Sequence, residues 1–193
     1  MASVPPKFFE LFTGGFFIRP VTTSDAHERL TGWTRDRLAA EMLNTPQRDW
    51  TIEAQSAFFS ESSAQSNKIV LGVLPKDQPQ LIGLYIMRLQ VPNSTFTVSH
   101  LIGDTAWRGK NVSGEASDAI MDYFFNRLGF HKAKANVQPH NKAMLWLMLR
   151  RAWKKEAYLT KHLRVQDTGQ RADVISLGML ASDWRKLQKP VAL

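Results

Sequence analysis

The chain has 193 residues, 44% of them hydrophobic, enough to bury the core of one ordinary domain. It holds no run of about 18 apolar residues that would span a membrane, and Met1–Leu11 lacks the apolar stretch of a secretory leader. With no cysteine, disulfides, thiolate metal sites and a cysteinyl acyl-enzyme are excluded. A net charge of +8 points to an anionic partner: a small anion, an acidic protein, the ribosome or a nucleic acid. No aromatic-interleaved basic motif of a nucleic-acid module accompanies that charge. One domain over residues 1–193 is expected, with short flexible tails at 1–7 and 186–193 and a cytoplasmic location by default.

In chain order, Phe16–Val21 reads as a first strand, aromatic and β-branched and closed by Pro20. Thr22–Asp25 offers helix caps, and a helix interrupted near Thr31–Thr34 is expected over Ala26–Leu43. A second helix is expected near Trp50–Glu61, with Trp50, Ala54, Ala57 and Phe58 as its inner face. Lys68–Leu74 and Gln80–Val91 read as strands joined by the Pro75–Pro79 turn, followed by a strand over Ser94–Gly103. Three strands in series imply an antiparallel portion of sheet. Val112, Ala116, Ala119, Ile120, Tyr123 and Phe124 then recur on one helical face, and Gly129 caps that helix. His131–Val137 alternates as a strand with Ala133, Ala135 and Val137 inward. Lys142–Trp153 reads as an apolar helix, Glu156–Gln166 and Arg171–Leu180 as closing strands, and Asp183–Leu193 as a polar, frayed tail.

The densest chemistry lies in Asp104–Met121, where a strand passes into a helix through Arg108-Gly109-Lys110-Asn111-Val112-Ser113-Gly114. The first amides of a helix have no intrahelical acceptor, and the helix dipole adds positive charge there. Gly109 and Gly114 remove Cβ bulk, and Asn111 tolerates a left-handed backbone. Arg108 and Lys110 add cations that suit phosphates. Such a segment is an anion site, or more simply a turn and a cap.

This stretch resembles the coenzyme-A-binding motif of the GNAT superfamily of N-acetyltransferases, Gln/Arg-x-x-Gly-x-Gly/Ala. Ile102-Gly103-Asp104, Trp107-Arg108-Gly109-Lys110 and Glu115-Ala116 resemble the branch that acetylates ribosomal-protein N-termini (RimJ/RimL type). Arg108 matches the leading Arg, while Asn111 and Ser113 stand where Gly and Gly/Ala are usual. The resemblance implies an α+β, GNAT-like acyl-CoA N-acyltransferase fold. In it a mostly antiparallel, twisted sheet of six or seven strands is flanked by about four helices, and two central strands splay apart. It implies acetyl-CoA as cosubstrate and a primary amine as acceptor, either a protein N-terminus or a small molecule; the five histidines lack HxxxH or similar spacing, so no metal is expected. It assigns the coenzyme to the backbone of Leu101 and Ile102, to Arg108, Gly109, Lys110, Asn111, Val112, Ser113 and Gly114, and to Asn141. A homodimer and a ribosomal or other acidic partner are further expectations; no membrane partner is expected.

The thioester arrives activated, so the protein must hold a neutral amine near the carbonyl and polarise that carbonyl. His100, in mid-strand beside the presumed gap, has the titration range of a general base, or is a packed strand residue. Asn141 touches the coenzyme or a positioning water, or is only a helix cap. Relatives often read Asn-x-x-Ser, with the Ser near the departing sulfur. This chain has Met144 there, which donates no proton, and Tyr158 is the alternative donor. The competing expectation is a GNAT-fold coenzyme-A-binding module with little catalysis.

Overall fold

The computed structural model describes residues 2–188. Its eight strands are β1 (Leu11–Phe12), β2 (Phe16–Pro20), β3 (Lys68–Pro75), β4 (Gly83–Gln90), β5 (Thr95–Ile102), β6 (Lys132–Val137), β7 (Lys154–Arg164) and β8 (Arg171–Leu180). They form one sheet in the order β1-β2-β3-β4-β5-β6-β8-β7. The helices are α1 (Glu28–Thr31), α2 (Arg37–Leu43), α3 (Ile52–Ala64), α4 (Val112–Asp122), α5 (Lys142–Leu149) and α6 (Ala181–Leu187). The GNAT fold expected from the sequence is the one observed, with the two-residue β1 added at one edge and α6 at the end of the chain.

Alternation along β3 sets the two layers. Val70 and Leu74 face one side, where Leu30, Trp33 and Phe59 from the α1–α3 segment pack with Leu81 and Leu84. Leu71 and Val73 face the other, where Val112, Ala116 and Ile120 of α4, Leu145 and Met148 of α5, and Trp184 of α6 join Tyr85, Met87, Phe96 and Val98. The periodicity of α4 therefore pointed to the right face. For α3 the structure corrects the expected face: Ala54 and Ala57 are exposed, and Gln55, Phe59 and Ser62 are buried. Gln55 is accommodated because both ends of its amide are used. Its Oε1 accepts from His27 N (2.8 Å) and its Nε2 donates to Trp50 O (2.6 Å), a condition a buried amide must meet.

Two further boundaries shift. The helix expected over Lys142–Trp153 stops at Leu149, because Ala152 takes a left-handed backbone (φ +62°) and Trp153 N donates back to Met148 O. The segment expected to fray after Asp183 begins as a helix, held by the buried indole of Trp184; residues 189–193 lie outside the described residues. At the other end, Ala2 is buried and Ser3 N donates to Leu128 O at 2.9 Å.

The feature that positions the site is an interruption in the sheet. β4 pairs with β5 along its whole length, from Gln90↔Thr95 to Gly83↔Ile102, and β6 pairs with β8 from Lys132↔Leu180 to Val137↔Ile175. Between β5 and β6, the one parallel pair among the described strands, pairing covers only Thr95↔Lys132, Phe96↔Ala133 and Thr97↔Lys134. The closed end is fastened by His131 N and Lys132 N, both donating to Ser94 O. Beyond it the strands diverge, and the main-chain groups of β5 and β6 that face the gap have no partner strand across it. α2 lies beside the gap, tied to the end of β6 by Gln138 Nε2 donating to Glu41 O (2.8 Å).

Candidate active site

The divergence of β5 and β6 opens a cavity of about 540 Å³. Its floor is Val98–Ile102 and Ala135–Val137, one wall is Trp107–Gly109 with Asn111–Gly114, and the other is Asn141, Met144 and the first turns of α5. The wall at α4 is shaped by backbone conformation. Asp104 Oδ1 accepts from Ala106 N to start a 3-10 turn over Thr105–Trp107. Gly109 (φ +78°) and Asn111 (φ +56°) are both left-handed, which bends the chain so that α4 starts at Val112. Glycine adopts that conformation freely, and asparagine does so better than most other residues. The first α4 bond runs from Glu115 N to Asn111 O (3.0 Å), so the amides of Val112, Ser113 and Gly114 precede the helical ladder. Nothing lies within 4 Å of where a Cβ on Gly109 would stand, so this part of the loop is open.

The two cations of the loop are used differently. Lys110 Nζ lies 5.0 Å from the Trp107 ring. Arg108 is engaged with the protein: its Nε donates to Ile102 O (3.1 Å) and its Nη1 to Asp36 (2.5 Å). It therefore holds the end of β5 against the start of α2, leaving its remaining donors for a ligand. Behind the loop, Arg151 pairs with Asp118 (3.0 Å) and stands close to Gly114, where any Cβ would crowd its guanidinium. Arg151 carries no motif signal; only the turn after α5 brings it here. Burial raises the Asp118 carboxyl, partly offset by Arg151.

His100 lines the cavity from β5. Its ring stacks on Tyr85, the residue directly across on β4, at 4.6 Å and 11°. Tyr85 in turn donates to Ser113 O (2.9 Å) and lies 3.0 Å from Ser117 Oγ, so β4 supports the first turn of α4. Burial raises the Tyr85 phenol, which stays protonated. Burial also pushes His100 down to about 4, and its Nε2 has no protein partner. The imidazole is thus neutral near pH 7, and its Nε2 is buried. Tyr85 had no role in the sequence reading; only the cross-strand register makes it part of the site.

Asn141 caps α5, its Oδ1 accepting from Met144 N (3.1 Å), and it also lines the cavity. The cap and the site reading are therefore compatible, because the Nδ2 donors are not used by the cap. Leu101, Ile102, Arg108, Gly109, Asn111, Val112, Ser113 and Gly114 all line the same cavity; Lys110 is exposed beside it. Tyr158 is not brought there. It sits on β7, the edge strand, 58% exposed, with its hydroxyl donating to Asp173 (2.5 Å). Among the described residues no group of three His, Asp or Glu gathers as a metal site.

A second cavity, of about 590 Å³, opens on the opposite face of the sheet. It is lined by Trp33, Trp50, Phe58, Leu84 and Ile86, with Thr34, Arg48 and Asp49 among its polar groups. Leu43, Ser99, His100 and Leu101 line both cavities. The two spaces therefore meet across β5.

A sheet split at its parallel pair, with a left-handed loop and a helix start at the mouth of the split, is the GNAT architecture expected from the sequence, and comparison with known proteins agrees. Residues 16–152 match the family model described as "Acetyltransferase (GNAT) domain". The chain belongs to the GNAT family and is an acetyltransferase of that class. It is 24% identical over 169 residues to "Probable N-acetyltransferase YjcK" of Bacillus subtilis, covering 83% of this chain and 92% of that one. It is 27% identical over 135 residues to the [ribosomal protein uS5]-alanine N-acetyltransferase of Escherichia coli, covering 68% of each. Among solved structures, a GCN5-related N-acetyltransferase from Brucella melitensis superposes with a TM-score of 0.82 at 16% identity, covering 97% of this chain and 85% of that one. Spermidine N-acetyltransferase from Vibrio cholerae, solved with CoA and spermine, superposes with a TM-score of 0.76 at 16% identity, covering 88% and 98%.

Proposed function

We propose that this chain transfers the acetyl group of acetyl-CoA to a primary amine by direct attack, with the coenzyme in the β5/β6 cavity and the amine entering from the opposite face. The observation that carries this reading is the gap between β5 and β6, which leads to a wall formed by Val112–Gly114, whose amides precede the helical ladder. Those amides, the α4 dipole and Lys110 suit a diphosphate. The gap-facing main chain of β5, at His100 and the N–H of Ile102, suits an extended amide-bearing arm, which hydrogen-bonds as an added strand would.

Acetyl-CoA supplies the activated thioester. The chain's contribution is placement and proton handling. A main-chain N–H near Leu101 stabilises the developing oxyanion. As the C–N bond forms, the attacking nitrogen becomes acidic, and its proton passes to His100 Nε2 or to water. Burial pushes His100 down to about 4, so it holds that proton only transiently, and the acceptor ammonium gives up its first proton to solvent before attack. The C–S bond then breaks and the thiolate takes a proton. Asn141, which lines the cavity and keeps its Nδ2 out of the α5 cap, holds a water for that step in this reading, since Met144 offers no proton.

Calorimetry with acetyl-CoA, and thiol release in the presence of amines, test the reading. Saturable binding with amine-dependent thiol release is expected. No binding at millimolar acetyl-CoA overturns it. Binding without release across a broad amine panel favours a coenzyme-binding module, the reading to which Met144 lends support.

A further inference from the structure

The lining of the second cavity carries information about the acceptor that the fold does not. We infer that this cavity selects a compact primary amine with an apolar, aromatic-sized body and an anionic group, and rejects polycations. The inference rests on the acetyl-transfer reading above, since it names the acceptor for that site. At about 590 Å³ the space is within the range of roughly 300–1,000 Å³ that takes a small ligand. Its walls are two indoles, a phenyl ring and aliphatic side chains, a surface that gains by excluding water from an apolar body.

The charges point the same way. A polyamine needs carboxylates to replace the water around each ammonium. The one acidic residue in this lining, Asp49, is held by Arg35 through two hydrogen bonds. The Phe58 ring already carries a cation, Lys68 Nζ 4.2 Å above it, which adds to the positive charge beside this space. Arg48 lines the same space, is exposed, and has no ion pair among the described residues. The unneutralised charge in the lining is therefore positive, which repels a second or third ammonium and attracts a carboxylate.

The test is steady-state thiol release with acetyl-CoA and four acceptors: L-tryptophan, tryptamine, spermidine and a short peptide beginning with alanine. The expected order of kcat/KM is tryptophan, then tryptamine, with spermidine and the peptide lower by roughly a hundredfold. In Arg48→Gln the ratio of kcat/KM for tryptophan over tryptamine falls by roughly tenfold, the scale of one charge-assisted hydrogen bond; Arg48→Lys keeps most of it. Spermidine or the peptide outrunning both aromatic amines overturns the inference, as does an Arg48→Gln ratio equal to that of the parent. Acetyl-CoA that binds, shown by a raised Tm, but releases thiol to none of the four overturns it too, while leaving the coenzyme site standing. Acetyl-CoA that fails to bind overturns the transfer reading beneath it.

Discussion

Gly103→Ala separates packing from backbone freedom at the end of β5, where the chain passes against the Trp33 indole. Gly103 follows β5 and has no positive φ, so alanine fits its backbone. On chain entropy alone the substitution stabilises by about 0.4–1 kcal/mol. A Cβ there, however, falls well inside 3.0 Å of three atoms of the Trp33 indole. Trp33 is buried among Val21, Leu30 and Phe59, so the ring's way out is toward the second cavity, which it lines. Overpacking of a fitted core costs about 1–3 kcal/mol, which exceeds the entropic gain. The net expectation is a loss of about 1–2 kcal/mol, or roughly 2–8 °C in Tm for a chain of this size. The displaced indole should raise the KM for amines by roughly tenfold, while acetyl-CoA affinity, set across β5, stays within about twofold. Calorimetric melting and the two sets of binding constants check this. The double variant Gly103→Ala/Trp33→Leu should show a coupling of about 1 kcal/mol or more, because removing the ring removes the clash. A Tm equal to or above that of the parent would refute the argument, since it would mean that the indole yields without cost.

Three other substitutions have clear signs. Asn111→Ala keeps the size of the loop but puts a Cβ-bearing residue without a compensating side-chain amide at φ +56°; it should cost about 1 kcal/mol and weaken acetyl-CoA in calorimetry, whereas Asn111→Gly keeps both. Ala152→Gly relieves the left-handed alanine after α5 and should raise Tm by about 2–4 °C, a strain-driven gain that Leu149→Gly, inside α5, does not share. His100 has a native pKa of about 4 against 6.5 for the free side chain, so the unfolded chain binds more protons between those values. Its contribution to stability is complete above pH 6.5 and is lost as pH falls from 6.5 toward 4; His100→Phe should make the denaturation midpoint less sensitive to pH across that window.

Much of this architecture was legible in the residues because it is encoded locally. The Val112–Phe124 face, the alternation of Ala133, Ala135 and Val137, and the Gly109–Gly114 turn each depend on neighbours a few positions apart, and each appears as expected. The inner face of α3 was not legible, since a buried Gln55 is stable only when His27 and Trp50 supply partners from outside the helix. The end of α5 was equally hidden: Ala152 is an unremarkable helix former until a backward bond to Met148 holds it left-handed.

The candidate site divides in the same way. Short-range chemistry along the chain marked the loop amides, and His100 and Asn141 stood out by residue type and position. Which of them share a space depends on strand order and register, which pair residues far apart in sequence. Register sets Tyr85 against His100 and under Ser113, the turn after α5 carries Arg151 to Gly114, and the edge position of β7 keeps Tyr158 away. The second cavity is assembled from the α1–α3 segment and β4–β5 and has no motif of its own. Backbone conformation is a property of short segments and can be read from them; a cavity is a property of surfaces that meet only after folding, so its chemistry is decided by the tertiary structure.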